Sequence, residues 1–318
     1  MSVEYMVNDD DVIIRNMNEL STLRTMLDER RILELYDVAK RMVDLSIPFL
    51  EDGLSIYDVL SLLVDGIVTG DYPVHIDHIE DWGSLLLALT RSASDIDCAV
   101  ISKLYVDCMR DSGCVLSECD YLLSKSVPEV FTYVKNQYSD EACDVFSQEF
   151  GAPGVVYSGS FRECVQRLSA GEVGYCLFPL EEKGGTRLHT IAELIYRHDL
   201  KINSVTPVFG FDAGADIKFA LVSNHFSVPK SVVGDDRYLE LRISSSQAPK
   251  LSQILASASL LGMSVYRVNT LTLDTEGEEN TFFSLVLRDD EGDFTPFLTY
   301  LTLFAPDAVP VGIYKNLE

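Results

Sequence analysis

The chain has 318 residues, with 50 acidic against 25 basic side chains and a formal net charge of −25. Nucleic acids and anionic membrane surfaces both draw affinity from clustered Lys and Arg, so this balance argues against either as a partner and reads as a solvated acidic surface. A hydrophobic fraction of 47% and a charged fraction of 24% are ordinary for a globular protein with room for two or three domains.

The first residues, "MSVEYMVNDDDVII", are acidic where a signal peptide would be basic and then apolar. No apolar run approaches the roughly 20 residues of a bilayer span. A cytoplasmic location is therefore expected. Residues 1–127 read as almost entirely helical. "NELSTLRTMLDERRILELYDVAKRMVDL" is rich in Leu, Met, Arg and Glu and meets no Gly or Pro until Pro48. "IYDVLSLLVDGI", "WGSLLLALTRSA" and "DIDCAVISKLYVDCMRDS" continue the pattern, with an irregular stretch around "TGDYPVHIDHIED". His75 and His78 stand three apart there, but no further ligand accompanies them, so no metal site is expected.

Residues 128–232 change period. "EVFTYV" and "GEVGYCLFPL" are short β-branched and aromatic runs, and "SDEACDVFSQEF" and "SFRECVQRLSA" have helical spacing. Helix "TIAELIYRHD" and strand "LKINSV" follow, and the alternation predicts a small, mostly parallel sheet. Residues 236–318 read β-α-β-β-α-β, the split βαβ, ferredoxin-like order, from "RYLELRIS" to "AVPVGIYK". The seven cysteines, Cys98, Cys108, Cys114, Cys119, Cys143, Cys164 and Cys176, are odd in number and fall mostly within elements, which points to reduced thiols.

One stretch, Cys176 to Ile195, joins a buried strand to an amphipathic helix through a Pro–acid–Gly–Gly loop. Such loops hold small anions in α/β proteins, and Thr186 is a candidate helix cap. The side chains oppose this: Glu181 and Glu182 face a single Lys183. One net negative charge is enough to cancel the roughly 0.3–1 kcal/mol that a helix N-terminus offers an anion. We expect the loop to turn the chain.

The order of helical bundle, α/β lobe and βαββαβ module resembles the bifunctional chorismate mutase–prephenate dehydratase proteins over nearly the whole chain. The C-terminal module is similar to an amino-acid-sensing ACT domain, "VPVGIYKN" resembling its closing strand. The Gly-Ala-Leu and Glu-Ser-Arg-Pro that frame the family's phenylalanine site correspond to Pro249-Lys250-Leu251 and Asn269-Thr270-Leu271-Thr272. In the lobe, "YVKNQYSDEACDVF" resembles the stretch that ends in Tyr-Ser, kept as Tyr138 and Ser139. Pro179 and Glu181 match the Pro-Ile-Glu-Asn-Ser motif, whose last two residues become Glu182 and Lys183. The family's Thr-Arg-Phe becomes Ile217-Lys218-Phe219, and isoleucine has no hydroxyl to move a proton. The chain between Val208 and Ile217 is too short for the family's second lobe, so a single lobe is expected.

"MLDERRILELYDVAKR" resembles the long first helix of the chorismate mutase domain. Arg30 and Arg41 are eleven residues apart, about three turns, and share a face, where they could clamp carboxylates or simply edge the bundle with Glu34. The family's last-helix glutamine falls at Ser117 or Glu118. The stretch 65–90 has no family counterpart. The resemblance implies a multidomain α+β protein: an all-α chorismate-mutase-like bundle (1–127), one α/β lobe like half of a prephenate dehydratase (128–232) and an ACT-like ferredoxin fold (236–318). The losses imply a non-catalytic small-molecule-binding or regulatory protein that binds a small aromatic or carboxylate metabolite, or a partner enzyme, near phenylalanine biosynthesis. The alternative is an active chorismate mutase or, less readily, a prephenate dehydratase. Candidate residues are Arg30, Arg41 and Glu118 for the mutase chemistry and Ser139, Glu181, Lys183 and Lys218 for binding in the lobe. No cofactor is implied, and a homodimer through residues 236–318 is expected.

Overall fold

The computed structural model describes residues 29–61, 94–122, 126–150, 153–182, 186–209, 217–227, 237–275, 278–290 and 293–315. In chain order the named elements are α1 (Glu29–Glu51), α2 (Asp95–Asp111), α3 (Glu118–Tyr121), β1 (Val130–Val134), α4 (Gln137–Phe150), β2 (Gly154–Ser158), α5 (Phe161–Ser169) and β3 (Tyr175–Glu181). There follow α6 (His189–Arg197), β4 (Lys201–Val208), β5 (Ile217–Ser223), β6 (Arg237–Ser244), α7 (Ala248–Leu260), β7 (Met263–Thr275), β8 (Glu278–Asp289), α8 (Thr295–Phe304) and β9 (Ala308–Lys315). No helix among the described residues is long and apolar enough to cross a membrane. The pair His75 and His78 and the 65–90 stretch lie outside them.

The chain forms two compact units. One unit comprises residues up to Tyr121 with Pro249–Met263 and Asp293–Pro306. Here α1 buries Ile32, Leu35, Ala39, Met42 and Val43, a stripe at helical spacing, and packs on α2. Ser94 and Asp97 form a capping box that starts α2, the Ser94 hydroxyl accepting from the Asp97 amide and the Asp97 carboxylate from the Ser94 amide. Arg31 of α1 donates to the same carboxylate at 2.9 Å, so the cap also ties the two helices together. Tyr105 of α2, fully buried, donates to Ser46 of α1 at 2.9 Å. Most of α7 and the whole of α8 belong to this unit, although their flanking strands do not. α8 packs on α2 and α3, with Thr299 Oγ1 2.7 Å from the Tyr121 hydroxyl.

The other unit comprises Leu122–Ala248, Ser264–Gly292 and residues from Asp307 onward. Its frame is one nine-stranded sheet in the order β2-β1-β3-β5-β4-β9-β6-β8-β7. β1 pairs in parallel with β2 and β3, but β5 runs antiparallel to both β3 and β4. The expected mostly parallel sheet is therefore a mixed one. A parallel return needs a crossover of a dozen residues or more, and only eight separate Val208 from Ile217, which pair directly. No second lobe is present among the described residues. Alternation along β3 sends Tyr175 and Leu177 to a core with α4 residues Ala142, Cys143 and Phe146. Cys176, Phe178 and Leu180 go to the opposite core with α5 and α6 residues Cys164, Leu168, Ile191 and Ile195. Both faces are covered there, which is why β3 reads as a continuous apolar run.

The C-terminal strands lie in the order β9-β6-β8-β7, that of a split βαβ unit, with β6 antiparallel to β8 and β9. They join the lobe strands where β4 meets β9 in parallel, in register at Ile202 and Gly312 alone. A methyl group on Gly312 would lie 2.7 Å from Ile202 Cβ and 2.8 Å from its carbonyl oxygen, so the missing side chain is what lets the two strands meet. At the far edge, β7 leaves Val265, Tyr266 and Val268 about half exposed.

Candidate functional site

The site begins where β3 ends. The Glu182 amide donates to the Thr186 carbonyl at 2.9 Å, Glu181 and Arg187 form an isolated antiparallel bridge, and the Leu188 amide returns to the Leu180 carbonyl. The chain thus doubles back on β3 before α6 starts. Leu188 is the N-cap residue and makes no side-chain cap. Thr186 is not the cap, because its backbone closes the turn two residues earlier. The two described ends of the loop, Glu182 and Thr186, meet before α6 begins.

Doubling back aims Arg187 at β6. Its two terminal nitrogens donate to the two Glu240 oxygens at 2.9 and 2.8 Å, a bidentate fork. Glu240 is completely buried and sits opposite Gly312 on β9. It also accepts from Tyr196 of α6 at 3.3 Å, Ser284 of β8 at 3.1 Å and Tyr314 of β9 at 3.4 Å. Five donors meet about four lone-pair positions, so the carboxylate is saturated. Burial acts to lower the Arg187 guanidinium, but the Glu240 charge outweighs it and holds the group above its ordinary value. Burial, and then Glu240, push the Tyr196 and Tyr314 phenols up, so both stay neutral donors.

A second pair lies alongside. Arg267 of β7 donates through both terminal nitrogens to Glu181, and Lys218 of β5, in register with Glu181, approaches the same carboxylate at 3.9 Å. Arg267 and Lys218 both lie near the Tyr266 ring, 5.3 and 5.9 Å from its centroid. Between α6 and strands β7 and β8 lies a cavity of about 430 Å3. Arg187, Arg267, Tyr196, Ser284 and Asn269 form its polar wall, Ala192 and Leu271 an apolar one, and Thr186, His189 and Thr270 its exposed rim. Asn269 Nδ2 is enclosed and has no hydrogen-bond partner among the described residues. Its volume falls within the range of small-molecule pockets.

The sequence-predicted residues fall in different places. Glu181 and Lys218 belong to the second pair, so the negative charge assigned to the loop at Glu181 is matched from β5 and β7. Lys183 lies outside the described residues. Ser139 is buried beside β1, where its hydroxyl donates towards the Val134 and Asn136 carbonyls and accepts from the Asn136 amide, all within one turn. Arg30 and Arg41 are both exposed; Arg30 lies 3.4 Å from Glu34 with 89% of its side chain in solvent. Glu118 accepts from the Phe294 amide at 3.3 Å, at the start of α8. Ile217 begins β5 opposite Val208.

Sequence reasoning passed over Arg187, Arg267, Glu240, Tyr196, Ser284 and Tyr314. No local signal marked Glu240, because "YLELRIS" alternates apolar and polar residues as a half-buried strand does, with Arg242 and Ser244 on the same face only partly buried. Among the described residues no three His, Cys, Asp or Glu side chains converge as a metal site would require.

No protein-family model matches the chain, and no curated protein matches it. Among solved structures it is similar to prephenate dehydratase from Streptococcus mutans, at 14% identity and a TM-score of 0.47, over 59% of this chain and 99% of that one. It is also similar to GqqA, a novel type of quorum quenching acylase, at 17% identity and a TM-score of 0.41, over 59% of this chain and 95% of that one. A third is prephenate dehydratase in complex with L-Phe from Arthrobacter aurescens, at 14% identity and a TM-score of 0.41, over 58% of this chain and 89% of that one. Scores below 0.5 at such identities assign neither fold nor activity to the chain.

Proposed function

We propose that the protein is a non-catalytic, small-molecule-binding relative of the chorismate mutase–prephenate dehydratase proteins. It takes a small aromatic or carboxylate metabolite of aromatic amino-acid biosynthesis in the cavity between α6, β7 and β8. The observation that carries this reading is the cavity wall itself: two guanidiniums fixed by internal carboxylates, beside an apolar flank. A wall whose rotamers are locked before a ligand arrives loses little on binding.

Chemistry is poorly served by the same arrangement. The Ser284 and Tyr196 hydroxyls are committed to Glu240, and Ile217 stands where the resembled family has a threonine. Arg30 and Arg41 are exposed and Glu118 accepts from the Phe294 amide, which favours binding over chorismate mutase chemistry. Purified full-length protein should consume neither chorismate nor prephenate above the uncatalysed rate. Calorimetry with a panel of aromatic carboxylates should find at least one that binds with a dissociation constant below about 1 mM. Turnover of either substrate overturns the non-catalytic reading, and a silent panel overturns the binding one.

A further inference from the structure

The charges lining the cavity do not balance. The charged side chains that line it are two guanidiniums, Arg187 and Arg267, and their carboxylate partners Glu240 and Glu181 are not among the lining residues, in a chain whose formal net charge is −25. The hydrogen-bonding capacity is skewed in the same direction. Glu240 accepts five bonds and is full, and Glu181 is enclosed by the Arg267 fork and by Lys218. Asn269, by contrast, carries an enclosed amide nitrogen with no acceptor. The pocket offers cationic donors, and neither partner carboxylate is available to a ligand cation.

Resting on the cavity as the binding site, we propose that it selects a small organic monoanion with an apolar end and no ammonium group: a carboxylic acid, not the matching amino acid. The ligand carboxylate lies against Arg267 and Asn269, and its apolar end against Ala192 and Leu271. An α-ammonium is only two bonds from its own carboxyl carbon. It would stand among the same guanidiniums that hold the carboxylate, with no anion to meet it. Like charges a few ångströms apart at intermediate dielectric weaken binding by about fivefold or more.

The test is calorimetry on the full chain with 3-phenylpropanoate and L-phenylalanine, which differ only by the ammonium group. The acid is expected to bind at least about fivefold more tightly. Equal affinities, or tighter binding of L-phenylalanine, overturn this inference and leave the binding function standing; binding of neither probe removes the site itself. Two substitutions fix the location. Glu181→Gln keeps an acceptor for Arg267 and removes one negative charge, so 3-phenylpropanoate should bind about threefold or more tighter. Arg267→Gln removes a positive charge from the same pair and should weaken it about tenfold. Opposite shifts from two partners in contact cannot come from loss of folding, and melting curves of both variants check that the fold persists. Weaker binding in Glu181→Gln, or unchanged binding in Arg267→Gln, overturns the proposal.

Discussion

Two arginines, Arg187 and Arg30, show how little a side chain's type says about its work. Arg187 enters a strand-lined interior and meets a carboxylate that is wholly buried; Arg30 stands on α1 in solvent, 3.4 Å from Glu34. The difference is the dielectric each pair inhabits. A buried fork is held by neighbours that cannot relax around a lost charge, whereas water replaces a surface partner almost without cost. Helical spacing put Arg30 and Arg41 on one face, but spacing fixes direction along a helix and not what lies opposite.

The sharpest way to break this contrast is Glu240→Ala. It strands the Arg187 guanidinium and removes the acceptor of Tyr196, Ser284 and Tyr314, so denaturant titration should show a loss of about 3–5 kcal/mol. Gly312→Ala probes the same interior through shape: the new methyl group collides with the Ile202 backbone, and unfolding should be easier by about 1–3 kcal/mol.

Asp97 lies between the two extremes, buried but paired with the half-exposed Arg31. Burial pushes its carboxyl up, yet the hydrogen bonds from Arg31 and Ser94 outweigh that and hold it below 3.8. A depressed folded value means that the stabilisation is complete above about pH 4 and drains away as the pH falls through the folded value. Asp97→Ala should cost about 1–2 kcal/mol at pH 7 through the lost cap, and its melting temperature should fall less steeply than the wild type's between pH 4 and pH 2. Arg30→Ala and Arg41→Ala, at the exposed end of the comparison, should each stay within about 0.5 kcal/mol of wild type in the same titration.

What the sequence made legible was local. The apolar run of β3 and the βαββαβ order each follow from patterns within a few residues, and each is present in the fold. The site was not legible, because its bonds join positions far apart: 53 residues from Arg187 to Glu240 and 86 from Arg267 to Glu181. Nothing local distinguishes such an arginine from a solvated one. The loop before α6 shows the same limit. Counting Glu181, Glu182 and Lys183 gave a negative loop, whereas the cations that neutralise Glu181 come from β5 and β7. The single continuous sheet was hidden too, since only Gly312 permits β9 to touch β4, and in the sequence that glycine looks like one more residue of a closing strand.

That glycine also settles how the sheet would respond to force. β9 is held to β6 by seven register pairs but to β4 by one. A load drawn across the strands concentrates on the single pair at Ile202 and Gly312. The sheet is therefore expected to part between β4 and β9 before β3, β4 and β5 on one side or β6, β8 and β9 on the other separate. Arg187 spans that line from the lobe side to Glu240 on the far side, and Arg267 spans it from β7 to Glu181, so two ion pairs rivet the seam.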